Sequence, residues 1–161
     1  MRKVELINFT KLRKYDKKKV LSWRNHPSIK KWMFTTNDIK IKDHLKFINH
    51  LKSEENKIYF LVKENGIGIG VINFTSINEN SLIIGLYLNP KIKAKGDILM
   101  NEIIKFSFDK IKVKKILVEV YRDNEKAYNF YKRYNFVSYD KKYINDRQVI
   151  CMELLNENRK L

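Results

Sequence analysis

Residues 124–137 read NEKAYNFYKRYNFV, and their pattern is the strongest indication of the fold in this sequence. It follows directly on the apolar run Ile116–Tyr121, which is typical of a β-strand. Asn124 is a favourable helix N-cap, and Asn135 is predicted to close the helix that follows. Between them, apolar residues recur at the spacing of one buried helix face, namely Ala127, Phe130, Tyr131 and Tyr134. We therefore predict a strand, a short amphipathic helix and a further strand that begins near Phe136.

This order of elements resembles the coenzyme A-binding half of the GCN5-related N-acetyltransferases. The motif of that family places a Glu on the strand, then Asn-x-x-Ala-x-x-x-Tyr on the helix, and finally a Phe. The matching residues of this chain are Glu119, Asn124, Ala127, Tyr131 and Phe136. The resemblance implies an acetyl-CoA-dependent N-acetyltransferase in which the helix Tyr lies beside the thioester sulfur.

The same resemblance implies two catalytic residues. Tyr131 is expected to be the general acid, because a phenol of pKa about 10 can protonate a departing thiolate of pKa about 8.5 when the two are in contact. Glu119 occupies the position of a general base, acting directly or through a water. Its alternation with Val118 and Val120 places it on the opposite face of the strand from them. A salt-bridged glutamate is the alternative interpretation of Glu119.

Outside this motif, hydrophobic periodicity and turn residues predict the order β-α-α-β-β-β-α-β-α-β-β in a single domain, residues 1–161. Asp16 is expected to cap the first helix, and the second helix, around Asp43–Lys52, to bury Leu45, Phe47, Ile48 and Leu51. The fold class is α/β (α+β). The resemblance implies a mixed, mostly antiparallel sheet of about seven strands flanked by about four helices, with a V-shaped acetyl-CoA cleft between the fourth and fifth strands.

A second motif, KAKGDI at residues 93–98, stands between a strand and a helix. Unpaired N–H groups and the helix dipole favour phosphate binding at such a position. A glycine before a helix is by itself more often a plain turn, so the phosphate-binding interpretation depends on the motif at 124–137. The family has Arg or Gln first and Gly or Ala last, where this chain has Lys93 and Ile98. The resemblance implies that acetyl-CoA is bound by Leu86, Leu88, Lys93, Lys95, Gly96, Asp97, Ile98, Asn124, Ala127 and Tyr131.

The N-terminal half is expected to hold the acceptor. Three of its blocks resemble one branch of the family, the nucleotide-sugar N-acetyltransferases of pseudaminic acid biosynthesis, which act on flagellar sugar precursors. The blocks are Arg24–Pro27 with Trp32 and Met33, His44–Ile48, and Tyr59–Lys63. This resemblance implies that the acceptor is the C4 amine of a UDP-linked 4-amino-4,6-dideoxy sugar. It also implies a sugar pocket lined by Arg24, His44, Asn73, Thr75 and Tyr87, with Arg24 and His44 directed at phosphate.

Two other functions stay open at this point. A protein or peptide N-acetyltransferase of the ribosomal-protein type shares a first helix rich in Trp, Arg and Asn. A nucleic-acid-binding module would suit the net charge of +16, from 34 basic and 18 acidic residues. The basic residues are spread in short clusters over separate elements, however, and such a module does not explain the spacing of Glu119, Asn124 and Tyr131. We therefore expect no nucleic-acid partner.

The remaining expectations concern the setting of the protein. The chain has one cysteine, Cys151, which is predicted to be a small buried residue on a late strand. We expect a cytoplasmic protein, because the sequence has neither a long apolar run nor an apolar leader, and we expect neither a membrane partner nor a metal. The sequence leaves open whether the chain is a monomer or a homodimer.

Overall fold

The computed structural model describes residues 2–160, and in these residues one mixed sheet is flanked by helices on both faces. The strands are β1 Val4–Asn8, β2 Ile58–Glu64, β3 Ile67–Thr75, β4 Ser81–Leu88, β5 Lys115–Tyr121, β6 Val137–Ile144 and β7 Arg147–Leu155. The helices are α1 Lys14–Arg24, α2 Pro27–Lys30, α3 Ile41–His50, α4 Gly96–Lys105, which continues as a π-helical segment at Phe106–Ile111, and α5 Glu125–Arg133.

The sheet order is β1-β2-β3-β4-β5-β7-β6, and every neighbouring pair is antiparallel except β4 and β5. The parallel ladder between β4 and β5 is short, because its register pairs run only from Ser81 and Lys115 to Ile83 and Leu117. Beyond this point the two strands are no longer paired. The result is an opening in the middle of the sheet, which we call the β4–β5 opening.

Alternation along the strands divides the buried residues between two cores. The larger core lies against α4 and α5 and contains residues such as Phe74, Leu82, Leu99, Ile103 and Met152. The smaller core lies on the opposite face, below α1 and α3, with residues such as Phe9, Val20, Trp23, Ile48 and Val71. The sheet therefore separates a face that carries α4 and α5 from a face that carries α1 and α3.

The predicted fold is confirmed, including the strand–helix–strand unit at residues 116–137 and the parting of the fourth and fifth strands.

Two local predictions were wrong. Asp16 is not the N-cap of α1, which begins at Lys14, and its carboxylate instead pairs with Lys63 at 3.6 Å. Leu45 is 39% exposed, because His44 takes its place on the buried face of α3 with Ile48 and Leu51. The predicted cap Asn135 lies one residue beyond the C-cap Tyr134, in a left-handed conformation with φ 73°.

Gly70 on β3 is packed so closely that the strand cannot accept a side chain there. A Cβ at this position would lie 2.6 Å from the carbonyl oxygen of Tyr87 and 2.8 Å from Cδ1 of Leu99. Because that oxygen belongs to the backbone of β4, no side-chain rotation relieves the clash. We expect Gly70→Ala to lower the free energy of unfolding by about 2–3 kcal/mol in urea titrations. Ile67→Val, at an exposed residue of the same strand, should change it little, and equal stability of the two variants would contradict this packing.

No helix within residues 2–160 is long and apolar enough to cross a membrane.

Candidate active site

The donor half of the site is built around the start of α4. The chain turns into this helix through Ala94, whose φ is 61°, and Lys95 occupies the N-cap without a side-chain cap of its own. The first backbone N–H groups of α4 are therefore available to an anion. Leu86 and Leu88 lie at the end of strand β4, before this loop, and pack against the larger core. Residues 86–98 thus run from the β4–β5 opening to the N-terminus of α4.

Helix α5 is held beside α4 by close contacts. A Cβ on Gly96 would lie 3.3 Å from the ring of Phe130, so glycine lets the two helices approach. The hydroxyl of Tyr134 donates a hydrogen bond of 2.7 Å to Asp97. Lys95 is paired with Glu64 at 2.8 Å. Since Asp97 and Lys95 already have partners in the protein, their proposed contacts with a donor substrate remain predictions.

Asn124 and Tyr131 stand at the start and in the last turn of α5. The side chain of Asn124 accepts a hydrogen bond of 3.4 Å from the N–H of Ala127, which confirms the predicted N-cap. The ring of Tyr131 is buried against Phe130 and Phe136. This burial raises the pKa of Tyr131 well above its ordinary value. The phenol therefore stays protonated at neutral pH, which is the state that a proton donor requires.

Glu119 lies on the opposite face of the sheet. Val118 and Val120 belong to the larger core, and Glu119 alternates with them, so its side chain points to the face of α1 and α3. Its carboxylate forms an ion pair of 2.6 Å with the ammonium of Lys142 on β6. The hydrogen bond with Glu119 is the main reason why the pKa of Lys142 is raised. Glu119 is thus both a salt-bridged residue and a carboxylate next to the β4–β5 opening.

Cys151 is distant from Glu119 along the chain but lies next to it in the structure. The register between β5 and β7 places it directly opposite Glu119. Its side chain is buried, as the sequence predicted, and burial together with the charge of Glu119 raises the pKa of the thiol. Antiparallel pairing brings together residues that are far apart in sequence, and no local pattern at residue 151 signals the neighbour.

Arg24 and Tyr87 meet on the face that carries Glu119. Burial lowers the pKa of the Arg24 guanidinium, and the nearby Tyr87, Asp38 and Tyr59 oppose this shift. Burial in turn raises the pKa of both phenols, and the positive charge of Arg24 opposes it. Nη2 of Arg24 donates to the carbonyl of Thr35 at 2.7 Å, whereas the buried Nη1 has no hydrogen-bond partner in the part of the chain that is described. An unpaired guanidinium nitrogen is a binding group for an acceptor oxygen.

The predicted pocket residue Asn73 lies in the same row of the sheet as Tyr59 and Gly85. A Cβ on Gly85 would lie 2.8 Å from Nδ2 of Asn73, so the glycine makes room for the amide. Thr75 is two residues further along β3 on the same face, opposite Ile83 at the end of the parallel ladder. The structure therefore brings Arg24, Tyr87 and Asn73 to one face together with Tyr59, which the sequence analysis missed because its strand reads as plain core.

His44 has a different setting. It is buried in α3, and its Nε2 donates to the carbonyl oxygen of Lys17 in α1 at 2.8 Å. This contact ties the two helices together, and no contact of His44 within residues 2–160 joins it to Arg24. Its predicted role toward phosphate is not supported by these contacts and remains a prediction.

The pKa of His44 gives a test of this packing role. Burial lowers the pKa, and the hydrogen bond to Lys17 partly opposes the shift. Because the pKa of His44 is lower in the folded state than in the unfolded state, the buried neutral ring contributes to the free energy of unfolding. This contribution is complete above the unfolded-state pKa of about 6.5 and is lost as the pH falls through the folded-state pKa. We expect the free energy of unfolding to decrease more steeply below about pH 6.5 in the wild type than in His44→Gln. Parallel stability curves for the two proteins would contradict this assignment.

Residues 31–38, which we call the crossing segment, lie over the face of the sheet to which Glu119 points. Asn145 in the β6–β7 turn donates a hydrogen bond of 2.6 Å to the carbonyl of Phe34, and the Phe34 ring meets the ring of Tyr121 edge-on at 5.2 Å. The guanidinium of Arg147 lies 3.7 Å from the centre of the Tyr121 ring. The crossing segment thus connects the end of α1 with the β6–β7 hairpin over the end of β5. The hydrogen bond between Asn145 and Phe34 joins residues 111 positions apart, and the sequence carried no signal for it.

The comparisons with known proteins agree with this geometry. Residues 18–136 match the model of the acetyltransferase (GNAT) family. The acetyltransferase PseH of Campylobacter jejuni is 39% identical over 150 residues, which cover 93% of this chain and 94% of that protein. The crystal structure of the C. jejuni N-acetyltransferase PseH in complex with acetyl coenzyme A superimposes with a TM-score of 0.80 at 33% identity, covering 95% of this chain and 99% of that one. The fold is also shared by a spermidine N-acetyltransferase from Vibrio cholerae in complex with CoA and spermine. That structure superimposes with a TM-score of 0.85 at 20% identity, covering 98% of this chain and 96% of that one. The chain belongs to the GNAT family of acetyltransferases.

Proposed function

We propose that this enzyme moves the acetyl group of acetyl-CoA to the C4 amine of a UDP-linked 4-amino-4,6-dideoxy sugar, in the pathway to pseudaminic acid for flagellin glycosylation. The observation that carries the proposal is the arrangement around the β4–β5 opening. Tyr131 stands on one face of the sheet and Glu119 on the other, with Arg24 and Tyr87 beside the Glu119 face. The 39% identity to PseH across nearly the whole chain supports the choice of acceptor.

The donor substrate fits the face of α4 and α5. A coenzyme A molecule carries phosphates that suit the free N–H groups at the start of α4, and its apolar arm suits Leu86 and Leu88 on β4. Strand β4 has no partner strand on the β5 side beyond Ile83, so backbone groups there can bind an extended ligand. We assign donor binding to this surface, with Asn124 at the start of α5 ordering the pantetheine arm.

The chemistry needs a base on the acceptor side and an acid on the donor side. An acceptor amine is protonated at neutral pH, and only its neutral form is nucleophilic, so Glu119 accepts a proton from it directly or through a water. The amine nitrogen then forms a bond to the thioester carbonyl carbon while a backbone N–H near Leu88 stabilises the negative oxygen. The carbon–sulfur bond breaks, and Tyr131 protonates the departing thiolate. Transfer is direct, within a complex that holds both substrates.

Acceptor recognition rests on Arg24. Its Nη1, which has no hydrogen-bond partner within residues 2–160, suits an anionic oxygen such as those of a diphosphate, and Tyr87 and Tyr59 lie nearby. We expect Arg24→Ala to raise KM for the sugar and the inhibition constant of free UDP by about 10–100-fold. The KM for acetyl-CoA should not change, because the donor surface lies on the other face of the sheet. Equal inhibition of both proteins by UDP would contradict this role.

We propose further that residues 1–161 act as a single acetyltransferase domain, and that the enzyme works in the cytoplasm. Both substrates are polyanions that do not cross a lipid bilayer unaided, so enzyme and substrates must share a compartment. A homodimer remains an alternative to a monomer, and the sedimentation velocity of the purified protein distinguishes the two.

The proposal is tested by measuring thiol release from acetyl-CoA with two acceptors in parallel. One is a UDP-4-amino-4,6-dideoxy sugar, and the other is a basic N-terminal peptide. We expect release that depends on the sugar and is inhibited by free UDP. Release with the peptide alone would overturn the sugar assignment and move the enzyme to the ribosomal-protein type.

A further inference from the structure

The amine closest to Glu119 belongs to the protein itself. Nζ of Lys142 lies 2.6 Å from Oε2 of Glu119. Under the proposed function, on which this inference rests, Glu119 is the base that receives a proton from the acceptor amine. An acceptor ammonium that binds this carboxylate directly therefore competes with the Lys142 ammonium.

Lys142 reaches this position across an intervening strand. It lies on β6 opposite Val149 of β7, while Glu119 lies on β5 opposite Cys151 of β7. Both charged groups act on the Cys151 thiol, so the ion pair spans that small side chain. The Lys142 side chain is 47% exposed. A lysine amine and the proposed base thus lie together, next to the β4–β5 opening.

We propose that Lys142 is an internal acceptor, and that the enzyme acetylates it when acetyl-CoA is bound and the sugar is absent. The amine nitrogen forms a bond to the acetyl carbonyl carbon, and the carbon–sulfur bond of the thioester breaks. The ammonium loses two protons. One leaves through Glu119 to solvent, and the other replaces the proton that Tyr131 gives to the thiolate. The products are Nε-acetyl-Lys142, free coenzyme A and one proton.

Acetylation removes the positive charge of Lys142 and therefore breaks its ion pair with Glu119. The sugar amine and Lys142 compete for the same carboxylate, so a bound sugar protects the lysine.

Mass spectrometry of the whole enzyme tests the inference. Wild-type protein is incubated with acetyl-CoA and no sugar, and the gain of about 42 Da per acetyl group is mapped to single lysines. Lys141 is the matched internal control, because it neighbours Lys142 on β6, is exposed, and points to the other face of the sheet. We expect acetylation of Lys142 to exceed that of Lys141 at least about tenfold. Added sugar and the variant Glu119→Gln should each reduce it toward the level of Lys141, and Lys142→Arg should abolish it.

The outcomes separate this inference from the proposed function, because sugar-dependent turnover is measured on the same preparation. Turnover without preferential acetylation of Lys142 overturns the inference and leaves the proposed function standing. Equal acetylation of Lys141 and Lys142, insensitive to Glu119→Gln, shows uncatalysed reaction of exposed amines and also overturns it. Absence of both acetylation and turnover overturns the inference together with the proposed function.

Discussion

Replacing Tyr131 with Phe is expected to lower kcat by about 100-fold or more while leaving KM for acetyl-CoA within about twofold of the wild type. The substitution removes one hydroxyl from a ring that is packed between Phe130 and Phe136, so the apolar contacts and the fold are retained. What is lost is the proton for the departing thiolate. The wild-type phenol, whose pKa is raised by burial, is protonated at neutral pH and so has a proton to give.

Tyr128→Phe is the matched control, because it removes the same atom from the same helix at a half-buried residue that also packs against the larger core. Its kcat should be close to that of the wild type. Steady-state rates of thiol release, measured for both variants with the sugar acceptor at saturation, decide the question. A kcat for Tyr131→Phe equal to that of Tyr128→Phe would contradict the role of Tyr131 as general acid.

Replacing Glu119 with Gln is expected to lower kcat/KM for the acceptor by about 100-fold or more at neutral pH. The amide has the shape of the carboxylate but cannot accept a proton from the acceptor ammonium. Because the protonated amine is unreactive, the loss should shrink as the pH rises and the free amine becomes available. The rate of the variant should therefore approach that of the wild type in alkaline solution, whereas its KM for acetyl-CoA should stay unchanged.

Glu153→Gln provides the control for this experiment. Glu153 faces the same side of the sheet two residues beyond Cys151, and it also pairs with a lysine, Lys115, at 3.6 Å. Its loss removes a comparable ion pair away from the β4–β5 opening. Similar kinetic effects of the two variants would show that Glu119 acts through its ion pair. A deficit for Glu119→Gln that is independent of pH would contradict its role as base.

The sequence predicted those parts of the fold and the site that depend on local patterns. Asn124, Ala127 and Tyr131 lie within two turns of one helix, so their spacing alone places them relative to one another. The alternation of Val118, Glu119 and Val120 likewise set the face of the Glu119 side chain. In each case the geometry follows from a repeat of 3.6 or 2 residues and needs no knowledge of distant contacts.

What the sequence could not predict depends on pairing between distant segments. Lys142 meets Glu119 because β7 is inserted between β5 and β6, an order that hydrophobic alternation does not specify. Cys151 lies beside Glu119 for the same reason. The prediction for Leu45 failed in a different way, since a polar residue, His44, could occupy the buried face by bonding to the carbonyl of Lys17. A periodic pattern of apolar residues does not predict that a polar side chain is buried, because its hydrogen-bond partner lies on another helix.

The chemical structure of the product shows whether this chain acetylates the C4 nitrogen of a UDP-linked amino sugar. The enzyme is incubated with the UDP-4-amino-4,6-dideoxy sugar and acetyl-CoA labelled with carbon-13 at the acetyl carbonyl, and the product is examined by NMR. We expect one product, in which the labelled carbonyl is coupled to the N–H proton at C4 of the sugar ring. A label on a ring hydroxyl, or an unmodified sugar in a reaction that acetylates the basic peptide, would contradict it.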